Sequence, residues 1–472
     1  MLATKKKLNF TEGPMFFRIL TFALPIMLTG ILQILYNMAD NIVVGQFSGD
    51  PHALGAVGST SSLNNLIISL IIGISAGTGV VVAQLIGARR DKDVSRAVHT
   101  ALVFSLFAGL AFGALGITIS RPVLRLIGTQ ALLLDQAVLY MRIISLGIPA
   151  SAVLNFGAAI LRSTGDSKSP LIILSCTGIL NVLLNLLFVI VFHMSVAGVA
   201  LATIISQYAS AILVIFVLAK KKGHSYQFSF SRLCFDKALI GRILRIGIPS
   251  GIQSSLFSLA NIVLTNGINS FNDPNIITAY TITNNIDAVT YIACNSFYQA
   301  AITFTGQNYG AMKYERIKRT LIFGLIQVTA IGIIVGQLEL LFGEQLVNLY
   351  VANDAPNKAA VMQASMDMLT LLLNFYFLCG IMEVCCGVLR GLGYSFSPMI
   401  LCLTGACAFR IFWRYVFFPL EPLNTPVGLL LSFPISWILT ILLLLGLFVF
   451  AWKKLKRNYV KVQNEAPEEV LN

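Results

Sequence analysis

The sequence predicts an all-α polytopic membrane protein with twelve transmembrane helices, arranged as two pseudo-symmetric bundles of six. Three observations predict this fold class: an apolar composition, a series of apolar runs of helical length, and an internal repeat. Of the 472 residues, 56% are hydrophobic and 11% are charged, and the mean hydropathy is +0.81. These values exclude a soluble globular domain.

Twelve apolar runs account for most of the chain. Each has at least the ~20 residues that a helix needs to cross ~30 Å of hydrocarbon. Their limits are roughly 16–46, 53–83, 97–119, 136–160, 169–192, 196–219, 240–270, 276–305, 319–342, 362–388, 396–418 and 427–452.

The basic residues lie in short clusters between these runs. The net charge of +13 would favour a nucleic-acid partner if the cations formed one patch, whereas clusters at alternate helix ends indicate orientation in a bilayer. Most of the 33 lysines and arginines fall on the inner side when the N-terminus is placed in the cytoplasm. We therefore expect two cytoplasmic termini, a plasma membrane of the bacterial inner-membrane type, and no nucleic acid.

The chain contains an internal repeat. "LRSTGDSKSP" at 161–170 aligns with "LRGLGYSFSP" at 389–398, and "QLIGARRDKDVSR" from Gln84 aligns with "QNYGAMKYERIKR" from Gln307. "SGDP" and "FNDP" match at the second of these shifts. Similar shifts in separate places indicate a duplication, which gives two halves of the same orientation with a cavity between them.

The repeat defines the predicted domains: an N-terminal six-helix bundle over 1–219, a basic cytoplasmic linker over 220–237 and a C-terminal six-helix bundle over 238–472. Two parallel bundles suit a transporter that works by alternating access.

Sequence patterns argue against other functional classes. The chain has no HExxH, no nucleophile elbow and no phosphate-binding glycine loop, which disfavours a membrane-embedded enzyme and an ATP-driven pump. Its eight cysteines lack the spacing of a zinc site, and seven of them fall within the apolar runs, so we expect free thiols and no disulfide. No cofactor is expected. A duplication around an isolated titratable group also argues against a passive channel.

One carboxylate lies inside the first predicted helix. A charged side chain there costs roughly 2.5–3.5 kcal/mol even on insertion scales, so acids within membrane helices usually have a function. Polar residues at helical spacing accompany it and predict a stripe that faces a cavity. The stripe includes Gln33, Tyr36, Asn37 and Asp40.

Further polar residues are predicted to meet Asp40. Asn181 and Asn185 share one face of the fifth helix, and a rise of 1.5 Å per residue places Asn185 and Thr203 in the same outer half of the membrane as Asp40. We interpret Asp40 as a group that binds and releases a proton and that attracts a cationic substrate when ionised. The alternative is a structural hydrogen-bond acceptor.

The second half contains other charged residues within predicted spans. A Glu383–Arg410 ion pair is slightly favoured over an ion or drug site for these two residues, and both stay candidates for the substrate cavity. Asp287, in "TITNNID", is either a second site for a cationic substrate or a helix-to-helix hydrogen-bond partner. Glu339, near a helix end, is expected to be solvated.

Several segments occur together in this chain: "ALPIMLTGILQILYNMADNIVVGQFSG" in the first helix, the loops "AQLIGARR" and "GQNYGAMK", and "LRSTGD" and "LRGLGY". With this combination the sequence resembles, over essentially its whole length, the MATE (multidrug and toxic compound extrusion) family. The resemblance implies secondary antiport, with export of cationic amphiphilic compounds driven by protons or sodium. A small-molecule organic cation, the lipid bilayer and a monomeric state are the expected partners and assembly.

The resemblance also implies roles for individual residues. An aspartate in helix 1 of such proteins carries the coupling ion, and Asp40 matches it; the neighbouring polar positions carry over to Asn181, Asn185, Thr203, Tyr140 and Asn155. Many members have a second aspartate where this chain has Asn185, which puts a Na⁺ site near Asp40 in doubt. The nearest rival is a lipid-linked oligosaccharide flippase, which predicts several basic residues in the cavity.

Overall fold

The computed structural model describes residues 10–50, 52–351 and 357–465. The basic residues predicted to mark the N-terminus, Lys5 to Lys7, lie outside these ranges, as do the last seven residues. Within the described ranges the structure consists of helices, turns and loops.

Twelve long helices follow one another in the described part of the chain, and they confirm the predicted fold class. They are α1 (Met15–Phe47), α2 (Ala53–Gly87), α3 (Asp91–Leu126), α4 (Ala131–Ser163), α5 (Lys168–Leu186, continued by a π-helix over Leu187–Val191), α6 (Ser195–Lys220), α7 (Lys237–Asn269), α8 (Pro274–Gly310), α9 (Tyr314–Leu341), α10 (Lys358–Gly391), α11 (Phe396–Val416, π-helical over Leu403–Ala408) and α12 (Ser432–Glu465). Short helices occur at Gly343–Asn348 and Pro426–Leu430.

Eleven helices of the described residues are long and apolar enough to cross a membrane. The remaining long helix, α8, has 37 residues but is less apolar, because threonine, asparagine and tyrosine side chains recur along it. A polar helix of this length is accommodated in a membrane protein when neighbouring helices or a cavity take up its polar face.

The chain forms two compact units. Unit 1 comprises Met1–Ser258 and Ile302–Ala311, and unit 2 comprises Leu259–Ala301 and Met312–Asn472. The sequence-based domains, 1–219 and 238–472, follow the repeat instead, and these boundaries stay a prediction.

In unit 1 an apolar cluster holds the end of α1 against its neighbours. Valine and alanine side chains from α1, α2, α6 and the π-helical end of α5 are buried together, with Tyr140 of α4 packed against them. Branched valines fill such a junction with little loss of rotamer entropy. The cluster comprises Val43, Val44, Ala53, Val57, Val189, Val196 and Val199.

Candidate functional site

Asp40 lies in a hydrogen-bonded polar network in unit 1 that links α1, α5 and α6. The Nδ2 group of Asn185 donates to Oδ1 of Asp40 and lies 3.4 Å from Oδ1 of Asn181. Asn181 in turn donates to the Thr203 hydroxyl at 3.5 Å. The structure therefore brings together Asp40, Asn185 and Thr203, which the sequence placed in the same half of the membrane, with Asn181 from the same face of α5. Their functional roles stay a prediction.

Asn185 has a free acceptor beside the Asp40 carboxylate. Its side chain is 0% exposed, and its Oδ1 atom is buried with no hydrogen-bond partner among the described residues. A buried carbonyl oxygen without a donor costs about 1–3 kcal/mol. Such an atom is suited to accept a proton-bearing group that is present in only one state of the site.

A close approach of α1 and α5 positions this network. The Tyr36 hydroxyl donates to the backbone carbonyl of Ser175 at 3.3 Å, and the Tyr36 ring lies where a Cβ atom on Gly178 would be. Glycine at this position therefore lets α1 approach α5. One turn further along α1, the side chain of Asp40 faces Asn185.

Two other candidates from α4 have different surroundings. Tyr140 is close enough to Asp40 for an electrostatic interaction between its phenol and the carboxylate. Asn155 instead donates to the backbone carbonyl of Ser151 in its own helix, at 2.8 Å. The structure thus places Tyr140, but not Asn155, next to the network.

The remaining stripe residues of α1 lie away from the network. Gln33 and Asn37 are exposed, and neither makes a hydrogen bond to another described residue.

Unit 2 contains a buried carboxylate for which the sequence analysis was wrong. Glu339 of α9 was expected to be solvated, but it is 8% exposed, and its Oε2 atom accepts a hydrogen bond from Thr290 of α8 at 2.8 Å. Its Oε1 atom has no partner among the described residues. Sequence position near a helix end did not reveal that α8 covers this side chain.

Asp287 lies one turn before Thr290 on α8 and is half-buried. It is close enough to Glu339 for electrostatic repulsion between the carboxylates. Asp287 makes no hydrogen bond to the described part of the chain, so Thr290 makes the contact between helices instead.

The favoured Glu383–Arg410 ion pair does not form among the described residues. The Arg410 guanidinium donates from Nε to the Ser436 hydroxyl at 3.0 Å and lies 4.0 Å from the centre of the Phe433 ring. Glu383 is 9% exposed and has no ion-pair partner in the same ranges. The pairing prediction was wrong because α12 satisfies Arg410 through a hydroxyl and an aromatic face.

Two carboxylates outside the membrane helices, those of Asp50 and Asp166, have lowered pKa values. The His52 amide and then the Gln136 side chain donate to Asp50, and these bonds hold the pKa of its carboxyl below the usual range. Burial raises the pKa of the Asp166 carboxyl, but hydrogen bonds from Ser169 and Lys221 outweigh this effect and hold the pKa below its usual value.

A duplicated all-helical membrane protein with acids inside its spans is a transporter by class. A family model described as MatE matches residues 25–187 and again residues 249–416. The chain therefore belongs to the MatE family, whose model covers each half of the repeat once. It is a member of a multidrug efflux transporter family and not an enzyme.

Individual known proteins agree with this assignment. The chain is similar to the probable multidrug resistance protein YoeA of Bacillus subtilis, at 27% identity over 92% of this chain and 93% of YoeA. It is 25% identical to the probable multidrug resistance protein NorM of Thermotoga maritima, over 87% of this chain and 88% of NorM. The fold matches a MOP superfamily transporter from Pyrococcus furiosus with a TM-score of 0.88 and 22% identity, covering 96% and 100% of the two chains.

Proposed function

We propose that this protein is a secondary antiporter that exports cationic amphiphilic compounds in exchange for protons. The observation that carries the proposal is the Asp40 carboxylate within a membrane-crossing helix, hydrogen-bonded to Asn185. Among the described residues no cation pairs with Asp40. A carboxylate in these surroundings can bind and release a proton without breaking an ion pair.

Exchange follows from competition for one charge. Ionised Asp40 attracts a cationic compound, and protonation removes that attraction. If a proton lowers the affinity for the cation, the cation lowers the affinity for the proton by the same factor. Alternating access of the two predicted bundles then converts inward proton flow into outward movement of the compound.

Protons are favoured over sodium as the coupling ion. An N–H group of Asn185 points at Oδ1 of Asp40, and a donor at this position suits a carboxyl group better than it suits an adjacent metal cation. A second carboxylate at position 185 would supply charge and oxygen ligands, which a hard cation requires. Asparagine at that position supplies one neutral oxygen.

The other predicted candidates are proposed to line the route of the substrate. Asp287 and Glu383 would attract cations in unit 2, Arg410 would set the local charge, and Gln33 and Asn37 would offer exposed amides on α1. We place the protein in a plasma membrane of the bacterial inner-membrane type, as a monomer with both termini in the cytoplasm.

Reconstituted vesicles test the proposal. Vesicles that contain either wild type or Asp40→Asn are loaded with a fluorescent organic cation, and a pH gradient or a sodium gradient is imposed separately. We expect the pH gradient alone to drive transport by wild type. The transport rate of Asp40→Asn should be lower by at least about tenfold, which corresponds to an effect of about 1.4 kcal/mol.

Asp135→Asn is the matched control, because it removes the same charge from a side chain that pairs with Arg121 at the surface. Full activity of Asp40→Asn under the pH gradient would exclude Asp40 as the proton carrier. Transport driven by sodium alone would overturn the choice of proton.

A further inference from the structure

The linker between α6 and α7 folds onto the first turns of α3. His99 of α3 is 0% exposed, and its Nε2 atom accepts a hydrogen bond from the Ser229 amide at 3.0 Å. The Phe228 ring stacks on the imidazole, with centroids 5.4 Å apart. Phe228 is itself buried and donates its amide to the carbonyl of Leu218 at the end of α6.

A second attachment lies at the end of the linker. The Thr100 hydroxyl donates to the Cys234 carbonyl at 3.3 Å and accepts the Asp236 amide at 3.2 Å. The Asp236 carboxylate pairs with Arg96 at 2.9 Å and also caps α7 by accepting the amides of Ala238 and Leu239. The linker therefore has a defined structure on unit 1.

A cavity of about 480 Å³ opens between the docked linker and α3. Three basic side chains and one carboxylate are among its walls, together with two serine hydroxyls. Arg96 is neutralised by Asp236, whereas Lys92 and Arg232 are exposed and have no ion-pair partner within the described ranges. The lining residues are Asp91, Lys92, Ser95, Arg96, Ser225, Arg232 and Cys234.

Three apolar side chains of the same linker segment are exposed. Phe230 is 76% exposed, Leu233 48% and Phe235 54%. They lie between the end of α6 at Lys220 and the start of α7 at Lys237, and both helices are apolar enough to cross the membrane. This part of the linker is therefore at the level where a bilayer meets water, where aromatic and basic residues are favoured together.

We propose that this cavity binds the headgroup of an anionic phospholipid. The phosphate is held by Lys92 and Arg232, with hydroxyl donors available from Ser95 and Ser225, and the acyl chains lie against Phe230 and Phe235. A phosphodiester matches uncompensated cations, and attached chains match exposed apolar side chains at the membrane surface. A free phosphate ion would account for the cations but not for these side chains.

The proposal goes beyond the proposed function. The predicted topology places the linker at the cytoplasmic leaflet, where anionic lipids are abundant. It does not depend on antiport, so lipid binding is measured without transport. A failure here leaves the Asp40 proposal intact, and a failure of the vesicle experiment leaves this one intact.

The first test uses the full chain in detergent, titrated with phosphatidylglycerol or phosphatidylcholine and followed by native mass spectrometry. We expect wild type to prefer phosphatidylglycerol. Lys92→Gln and Arg232→Gln should each weaken its binding about fivefold, the value of one basic residue at an anionic surface. Arg125→Gln, which removes an exposed charge at the other end of α3, should leave binding unchanged.

The second test keeps all charges in place. In Phe230→Trp, phosphatidylglycerol brominated on its acyl chains should quench the added fluorescence, and an excess of inorganic phosphate should not restore it. Equal binding of the two lipids, or undiminished preference in Lys92→Gln/Arg232→Gln, would overturn the proposal. Displacement of the lipid by phosphate would assign the cavity to free anions, and absence of quenching would exclude acyl contact with Phe230.

Discussion

The two copies of the repeat have diverged at the membrane carboxylate. At the shift that aligns "SGDP" with "FNDP", apolar residues of α7 replace the polar stripe of α1, while the glycines at the ends of α2 and α8 are kept. Duplication has therefore preserved glycines that allow helices to approach, but not the polar stripe of α1. The stripe positions Gln33, Tyr36, Asn37 and Asp40 correspond to Leu256, Leu259, Ala260 and Val263.

The same contrast holds for α5 and α11. Asn181 and Asn185 correspond to Phe409 and Trp413 at the shift of the "LRSTGD" repeat. Unit 2 has its own acids, but they lie on α8, α9 and α10 and do not replace Asp40. Similar folds thus support one amide-lined carboxylate in the first half and several carboxylates on different helices in the second. Substitutions in the two halves are therefore predicted to have different effects.

The largest effect is expected at the partner of Asp40. Asn185→Leu removes the donor to the carboxylate and should reduce pH-driven transport at least about tenfold, because an unpaired charged group costs well over 1.4 kcal/mol. Phe409→Leu, at the position matching Asn181, is the control and should retain most of the activity. Equal losses in the two variants would remove the distinction between the halves.

In unit 2 the strongest effect should be on stability. Thr290→Val leaves Glu339 buried without its donor and should lower the free energy of unfolding by about 3 kcal/mol. Thr290→Ser keeps the hydroxyl and should be nearly neutral. In a Glu339→Leu background Thr290→Val should have little further effect, as thermal denaturation in detergent would show; an additive result would exclude the interaction.

A smaller effect is expected where α1 meets α5. Gly178→Ala places a methyl group against the Tyr36 ring and should cost about 2 kcal/mol, within the range of overpacked sites. Gly58→Ala in α2 is the matched control, since a Cβ there has no neighbour within 4 Å. If both variants denature at the same temperature, the approach of α1 and α5 does not depend on this glycine.

The smallest effect compares the loops that follow α4 and α10. Because the pKa of Asp166 is lowered in the folded protein, its stabilisation is present above the unfolded value of about 3.9 and is lost as pH falls through the folded pKa. At neutral pH the free energy of unfolding of wild type, measured by denaturation in detergent, should exceed that of Asp166→Asn by no more than about 1 kcal/mol. This difference should shrink below about pH 4.

Tyr394 occupies the corresponding position in the second copy. Tyr394→Phe should show a difference from wild type that does not change between pH 7 and pH 3. A difference for Asp166→Asn that is equally independent of pH would contradict the role assigned to its ionised carboxylate.

Sequence alone predicted the helices and the meeting of Asp40 with Asn185. Hydropathy and helical rise act over a whole span, so they fix the depth of a residue even when its neighbours are unknown. The Glu383–Arg410 pair and solvated Glu339 were wrong for the opposite reason. Their surroundings depend on which neighbouring helix covers them, and Ser436 and Thr290 are far from them in sequence.

The docked linker was also not predicted, since its contacts with His99 and Thr100 pair residues that are more than 100 positions apart. Its basic and aromatic composition indicated only a loop. Local sequence records charge and polarity, whereas docking depends on a buried imidazole whose acceptor nitrogen matches one backbone amide.

The docked linker makes the Cys234 thiol a native chemical reporter. Its Sγ atom donates to the Arg96 carbonyl at 3.6 Å, and the side chain is only partly exposed. An alkylating reagent should modify it at a rate set by how often the linker leaves α3. The chain can therefore report opening of this segment through labelling kinetics, with no engineered probe.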